Sequence, residues 1–130
     1  MKLQRLIMTP LALLGLAACH KDNAEPVKLS GTYTGIFKST SPNAASGTVK
    51  LVVTDKTYLA ELKTFMRIES RGTYTINNNQ ITFKDSTAHT ANFDWSLLLN
   101  GVYEQSAKND SLILVKKGEG YSYMYRLKKQ

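Results

Sequence analysis

The sequence predicts an all-β domain, an antiparallel up-and-down β-barrel of about eight strands. Apolar and polar residues alternate in run after run, and successive side chains of a strand point to opposite faces of a sheet. Short turn signals separate the runs, so consecutive strands are expected to pair as hairpins. A closed barrel leaves no exposed edge, which favours it over the alternative, a two-sheet sandwich with the same buried residues.

Strands one to four are assigned from alternation between clear turn signals. Tyr33 and Phe37 share a face in the first strand, and the stretch TVKLVV repeats the pattern in the second. The run YLAELKTFM comes nearest to a helical period, but Thr57 and the short DK turn before it favour a strand. The fourth run is expected to bulge or split at residues 70–72. The predicted bounds are near residues 31–39, 47–54, 57–63 and 65–76.

Strands five to eight follow from the same pattern, with NNN, AKND and KGEG as turn signals. In the sixth strand, Phe93, Trp95, Leu97 and Leu99 alternate with other residues, which predicts that Trp95 faces the interior. The tyrosines of YSYMYRL occupy one face of the eighth strand. The predicted bounds are near residues 80–85, 95–104, 111–116 and 121–128.

The start of the chain has the features of a secretory signal. Lys2 and Arg5 supply positive charge, and the run LIMTPLALLGLAA that follows is largely apolar. This run is too short for a membrane-spanning helix, which needs about 20 apolar residues. We therefore predict that residues 1–18 are a signal peptide.

The residues Leu16-Ala17-Ala18-Cys19 resemble the lipobox of bacterial lipoproteins. In that family the cysteine thiol receives a diacylglyceryl group, and a peptidase cuts just before the cysteine. The resemblance implies a lipoprotein signal peptide and a Cys19 that carries acyl chains such as palmitate. The alternative is an ordinary signal peptide followed by a free thiol, which is unusual in a secreted protein. Cys19 is the only cysteine of the chain, so no disulfide is available to brace the fold.

Composition then divides the rest of the chain in two. Residues 19–28 are polar and include Pro26, which is typical of a short flexible tether. Residues 29–130 are enough for one domain with a modest core. The residue after Cys19 is not the aspartate that retains lipoproteins at the inner membrane of enteric bacteria, and Lys21-Asp22 loosely resembles the surface export signals of Bacteroidota. We expect an outer-membrane lipoprotein of the cell envelope, with the periplasmic or surface side left open.

The charge balance is moderately basic. The whole chain has 17 basic and 10 acidic residues, and loss of the signal peptide removes two of the basic ones, leaving a net charge of +5. Apart from Lys116-Lys117 and Lys128-Lys129, at predicted strand ends, the charges are scattered. This pattern favours a solvated surface. The expected partner is a membrane, through the lipid anchor, with no nucleic acid, and the chain is expected to be a monomer.

Several segments resemble the lipocalin-like and calycin barrels. Gly31-Thr32-Tyr33 is similar to the Gly-x-Trp/Tyr opening of those families, and Arg126 loosely matches the basic residue that packs over that aromatic ring. The stretches GTYTINNNQITFKDS and WSLLLNGVYEQ look like small lipocalin-like lipoproteins of Bacteroidota. The resemblance spans most of the chain after the signal and implies a ligand-binding barrel. The strands here are shorter than those of full-length lipocalins, which bears on the size of any cavity.

Residues for catalysis or metal binding are sparse. The only histidines are His20, in the tether, and His89, in the polar loop DSTAHTAN. Neither a hydrolase triad nor a metal site is indicated, and no cofactor is expected. Glu61 and Glu69 are a conceivable acid–base pair, but alternating surface charges on strands are the commoner explanation. We therefore expect a protein that is not an enzyme.

Aromatic residues on the predicted inward faces are the candidate ligand site. Tyrosine combines apolar area with a hydroxyl that needs a partner when buried, so such residues can orient a small apolar ligand. The alternative is that they fill the barrel as its core, and that the loops at residues 41–47 and 85–92 bind or inhibit a protein partner. The candidate residues are Tyr33, Phe37, Trp95, Tyr121, Tyr123 and Tyr125.

Overall fold

The computed structural model describes residues 28–40, 44–89 and 94–130. The predicted signal peptide, the predicted lipidation site Cys19 and the predicted tether up to residue 27 lie outside the described residues, as does Phe93. Among the described residues, no helix is long and apolar enough to cross a membrane.

Eight antiparallel strands form a closed barrel. Each strand pairs with the next along the chain, and the first also pairs with the last. The prediction of an antiparallel up-and-down barrel is confirmed, and the sandwich alternative is wrong. The strands are β1 (Gly31–Ser39), β2 (Ser46–Val53), β3 (Thr57–Lys63), β4 (Arg67–Asn77), β5 (Gln80–Asp85), β6 (Gly101–Lys108), β7 (Ser111–Gly118) and β8 (Tyr121–Lys129).

The prediction that the sixth strand begins near residue 95 is wrong. Residues Trp95–Leu97 form a short 3₁₀ helix instead, and β6 begins at Gly101. Asp94 starts the helix, since its side chain accepts a hydrogen bond of 3.0 Å from the backbone nitrogen of Ser96. The next three residues, Leu97, Leu98 and Leu99, are all buried, whereas a strand would have turned every second one outward.

The fourth strand does not split at residues 70–72. Its first part pairs with β3 and its second part with β5, and Gly72 takes part in both pairings. A Cβ atom at Gly72 would lie 1.8 Å from the carbonyl oxygen of Lys84, so only glycine allows the backbones this close an approach. Gly72 thus allows the backbones of β4 and β5 to approach closely at the position where β4 pairs with both of its neighbours.

The inward faces of the strands form one hydrophobic core. Leu51, Ile81 and Leu114 are fully enclosed, and Tyr103 on β6 is almost so. Arg126 is exposed on the outer face of β8, between the inward-facing Tyr125 and Leu127. The expectation that Arg126 packs over Tyr33 is therefore wrong, because the two-residue period of the strand turns it away from the interior.

The two ends of the barrel differ. At the end that we call the terminal end, β1 begins, β8 ends, and the turns between β2 and β3, β4 and β5, and β6 and β7 are short. The opposite end, the loop end, carries the other four connections, including residues 86–100 between β5 and β6. Leu97–Leu99 of this connection belong to the same buried cluster as the strands, so this segment packs into the core at the loop end.

Candidate functional site

Phe37, Tyr123 and Tyr125 lie together at the core, and Tyr121 joins them from the β7–β8 turn, where its ring covers Gly118. The Phe37 ring centre is 4.8 Å from that of Tyr125 and 6.4 Å from that of Tyr123, and Tyr123 is 5.2 Å from Tyr121. Phe37 and Tyr125 are fully buried, whereas Tyr121 and Tyr123 are only half-buried beside the β7–β8 turn at the loop end. Tyr33 is also buried, on the same face of β1 as Phe37.

Trp95 is the exception among the candidates. Its side chain is 58% exposed, so the prediction that it faces the interior is wrong. The cause is the 3₁₀ helix, which replaces the alternation of a strand at this position. Trp95 lies instead edge-on to the ring of His89, with 5.4 Å between the ring centres. It belongs to the outer surface of the loop end.

Three further aromatic residues extend the interior cluster. Tyr103 lies 5.8 Å from Tyr125 and 5.9 Å from Phe83, and Phe83 lies 4.9 Å from Tyr58, all measured between ring centres. Ring contacts therefore run without a break from Tyr121 at the loop end across the barrel to β3. Aromatic rings at these separations pack favourably in edge-to-face or tilted arrangements. The rings that were expected to line a ligand site thus contact one another inside the barrel.

The alternation of the strands also indicates these three residues. Phe83 is two residues from the buried Ile81 on β5, and Tyr58 is two residues from the buried Ala60 on β3. Tyr103 is odd-numbered like Leu97 and Leu99, so the predicted strand 95–104 already turns it inward, and the structure buries it on β6.

The buried tyrosine hydroxyls are hydrogen-bonded within the core. Tyr58 donates a 2.6 Å hydrogen bond to the backbone oxygen of Leu99, and Tyr103 and Tyr125 hydrogen-bond to each other. Burial raises the pKa of all three phenols, so they are uncharged at neutral pH. Neutral phenols with internal partners stabilise a core, and they are poor nucleophiles or bases.

A second polar cluster lies where β5 leaves the barrel. The carboxylate of Asp85 accepts hydrogen bonds from the Thr87 hydroxyl at 2.6 Å, from His89 Nε2 at 3.0 Å and from the Arg71 backbone nitrogen at 3.1 Å. The side chains of Asp85 and His89 are 6% and 8% exposed. Burial alone raises the pKa of Asp85, but these hydrogen bonds outweigh burial and lower it.

The geometry of this cluster differs from that of a hydrolase triad. In a triad the carboxylate binds one imidazole nitrogen and the nucleophile binds the other. Here Asp85 and the Thr87 hydroxyl both contact Nε2 of His89. The cluster instead ties residues 85–89 together, and Asn100 extends it because its side-chain oxygen accepts a 2.9 Å hydrogen bond from the Asp85 backbone nitrogen. It supports the surface on which Trp95 lies.

Glu61 and Glu69, the conceivable acid–base pair, are direct neighbours on the outer face of β3 and β4. Each is paired with an arginine: Arg67 lies 2.7 Å from Glu61, and Arg71 binds Glu69. Like charges opposite one another destabilise a sheet unless they are compensated. The four side chains therefore form a surface charge network. Among the described residues, no group of three or more histidine, cysteine or acidic side chains could hold a metal ion.

Comparisons of this chain with protein-family models, with curated proteins and with solved structures gave no match. The likeness to lipocalin-like barrels therefore depends on the sequence motifs.

Proposed function

We propose that the protein is a lipid-anchored, lipocalin-like protein of the cell envelope that binds a protein partner at the loop end of its barrel, around Trp95. It acts by binding and not by catalysis. The anchor is Cys19, and the barrel holds the binding surface at a fixed shape. The observation that carries the proposal is the 58% exposed indole of Trp95 on a connection that is hydrogen-bonded to the barrel.

The rigidity of this surface supports the proposal. Trp95 contacts His89, and His89 is held by Asp85 at the end of β5. On the other side, Leu97–Leu99 are buried, and both backbone polar groups of Leu99 are bonded: its nitrogen to the Ser70 hydroxyl at 3.3 Å and its oxygen to Tyr58. An exposed tryptophan on a fixed support is typical of residues that dominate the binding energy of protein interfaces.

The alternative is a small apolar ligand inside the barrel. It requires space where Phe37, Tyr103 and Tyr125 are fully buried and in contact. Removing such side chains from a packed interior, or rearranging them, costs free energy that the ligand has to supply. These contacts between the rings support a partner at the surface over a ligand at the centre.

Site-specific photo-crosslinking in the cells that make the protein tests this proposal. A photoreactive phenylalanine replaces Trp95, and the matched control replaces Val102, which is 48% exposed on β6. We expect a discrete adduct only from position 95, competed by the purified chain that carries Cys19→Ser. The same competitor with Trp95→Ala should compete at least about tenfold less well, the usual loss for a central interface residue. Equal competition by both chains, or saturable binding of an apolar small molecule with no adduct, would overturn the proposal.

A further inference from the structure

The β3–β4 connection presents an apolar tip at the loop end. Phe65 is 87% exposed and Met66 46% exposed, although large apolar side chains of this kind are normally buried. Phe65 is the apex residue, because the Thr64 backbone nitrogen donates a 2.9 Å hydrogen bond to the oxygen of Met66 and closes the hairpin beneath it. The tip is therefore a fixed protrusion with an aromatic ring at its summit.

Basic residues surround this tip. Lys63 and Arg67 are opposite one another on the last pair of β3 and β4, directly below Phe65. On β1, which is separated from β3 by β2, Lys38 and the 43% exposed Ile36 line a groove of about 360 Å³ together with Lys63 and Thr64. The sequences of residues 36–48 and 62–68 contain three basic residues and no acidic one. Glu61 compensates only one of these charges, that of Arg67.

We infer that this tip, defined by Phe65 and Met66 with Lys38, Lys63 and Arg67, docks on an anionic phospholipid bilayer. A protruding ring suits a bilayer, whose surface yields around it, whereas a protein partner would need a matching pocket. Lys63 and Arg67 are two residues from Phe65, so they lie about 7 Å behind the apex at the rise of an extended chain. Amphipathic elements at a membrane interface bury their apolar side about 5–10 Å deep, which leaves these cations at the level of the lipid phosphates.

This inference goes beyond the proposed protein partner and uses different residues. The lipid anchor proposed at Cys19 would be one point of attachment to the membrane, and the tip would be another. Membrane contact at a second point would fix the orientation of the barrel, and with it the direction in which Trp95 faces.

Vesicle flotation tests the inference without the lipid anchor. The core residues lie between Leu29 and Leu127, so the chain from residue 19 with Cys19→Ser keeps all of them and is used without the anchor. We expect it to bind vesicles made of equal parts of phosphatidylethanolamine and phosphatidylglycerol, and not vesicles of phosphatidylcholine. Phe65→Ser should weaken binding about tenfold, because the ring no longer leaves water. Lys38→Gln and Lys63→Gln should each weaken it about fivefold and reduce its sensitivity to salt.

Val102→Ser is the matched control, because Val102 is also an exposed apolar residue but lies on β6 away from the tip. It should leave vesicle binding unchanged. Circular dichroism should show the same fold for Phe65→Ser, since the ring contributes little to the core. A tryptophan introduced by Phe65→Trp, with Trp95→Phe removing the other indole, should shift to shorter wavelength on anionic vesicles and be quenched by brominated lipid.

Three results would overturn the inference. The first is equal binding to neutral and anionic vesicles, and the second is binding that Phe65→Ser does not weaken. The third is an absence of binding to the anionic vesicles, whether or not a concentration-dependent dimer or a protein crosslinked at position 65 shows that the tip has another occupant. None of these results bears on the adduct at Trp95, so the two proposals fail separately.

Discussion

The hydroxyl of Tyr58, on β3, donates a 2.6 Å hydrogen bond to the backbone oxygen of Leu99, which is 41 residues further along the chain. Both groups are buried, so Leu99 has no water to replace this donor. The bond joins the barrel wall to the segment that packs into its loop end. Among the described residues, it is the shortest hydrogen bond that Leu97–Leu99 make.

Tyr58→Phe should therefore lower the free energy of unfolding by about 1–3 kcal/mol, the cost of leaving a buried carbonyl unpaired. Tyr74→Phe is the matched control. Its hydroxyl also donates to a backbone oxygen, that of Thr54, but the bond is exposed and water can replace it. The control should change stability by less than about 0.5 kcal/mol. Urea denaturation measures both values, and equal losses would contradict the role assigned to the buried bond.

Truncating inward-facing rings should lower the free energy of unfolding much more than truncating a side chain on the outer face of the barrel. Tyr33→Ala and Tyr125→Ala should each lower the free energy of unfolding by about 3–5 kcal/mol, because each removes a buried aromatic ring. Thr82→Ala, on the exposed face of β5, should stay within about 0.5 kcal/mol. Denaturant titration of the three variants gives the comparison, and a loss at Thr82 as large as those at the tyrosines would mean that the faces are wrongly assigned.

Asp85 makes stability depend on pH on the acid side. Its pKa is lower in the folded protein than in the unfolded chain, where an aspartate has a pKa of about 3.9. The stabilisation is therefore fully present above that value and is lost as the pH falls through the folded pKa, because the unfolded chain takes up the proton first. The stability difference between wild type and Asp85→Asn should shrink as the pH is lowered below about 4.

Urea unfolding over a series of pH values measures this difference. Asp55→Asn, which alters an exposed carboxylate in the β2–β3 turn, is the control. It should lose stability at acid pH as the wild type does, because Asp85 is unchanged. A stability difference for Asp85→Asn that stays constant down to the lowest pH would show that the hydrogen bonds from Thr87 and His89 do not favour the carboxylate.

The fluorescence of Trp95 should be that of an indole in contact with water. It is the only tryptophan of the chain, and its side chain is 58% exposed. We expect emission at long wavelength and efficient quenching by acrylamide in the folded protein, with little further change on unfolding. Emission at short wavelength that acrylamide does not quench would place Trp95 in the interior or under another part of the chain.

Lipidation of Cys19 is tested by labelling with a radioactive fatty acid. Cys19→Ser should abolish incorporation and leave the uncleaved precursor, because serine cannot form the thioether that the lipobox resemblance implies. The wild-type chain is the positive control. Equal incorporation in both chains would refute the anchor.

The barrel was predictable where the alternation was simple. The bounds of β1, β3 and β5 agree with the predicted ranges. In each of these strands the inward-facing residues occupy every second position, and clear turn signals lie on both sides. The prediction failed at the connection after β5, where LLL follows Trp95. A run of three leucines fits a strand by composition, but here all three are buried by packing from different strands, which a local pattern cannot reveal.

The candidate site was predictable only in part. Parity correctly placed Phe37 and Tyr125 inside the barrel, yet it could not show whether their rings leave a cavity, because this depends on how side chains from opposite walls meet. The exposure of Phe65 was not predicted either, because the fourth strand was expected to begin at residue 65 and begins at Arg67 instead. Its position at the apex follows from the register of Lys63 with Arg67, which is a property of the pairing.

The pairing of β1 with β8 has a consequence for the order of folding. Tyr33 pairs with Lys129, and the backbone nitrogen of Gln130 donates a 2.8 Å hydrogen bond to the backbone oxygen of Thr32. The first strand can pair with β2 early, but its second neighbour, β8, is present only when the last residues of the chain are. Contacts this distant in sequence form slowly, because the entropy cost of closing a long loop comes before the contacts stabilise the chain. Until then β1 and β7 are open edges that can take a strand from another copy of the chain. Loss of the final strand should thus open the barrel and make the chain prone to strand exchange and aggregation, even though most of its core residues remain.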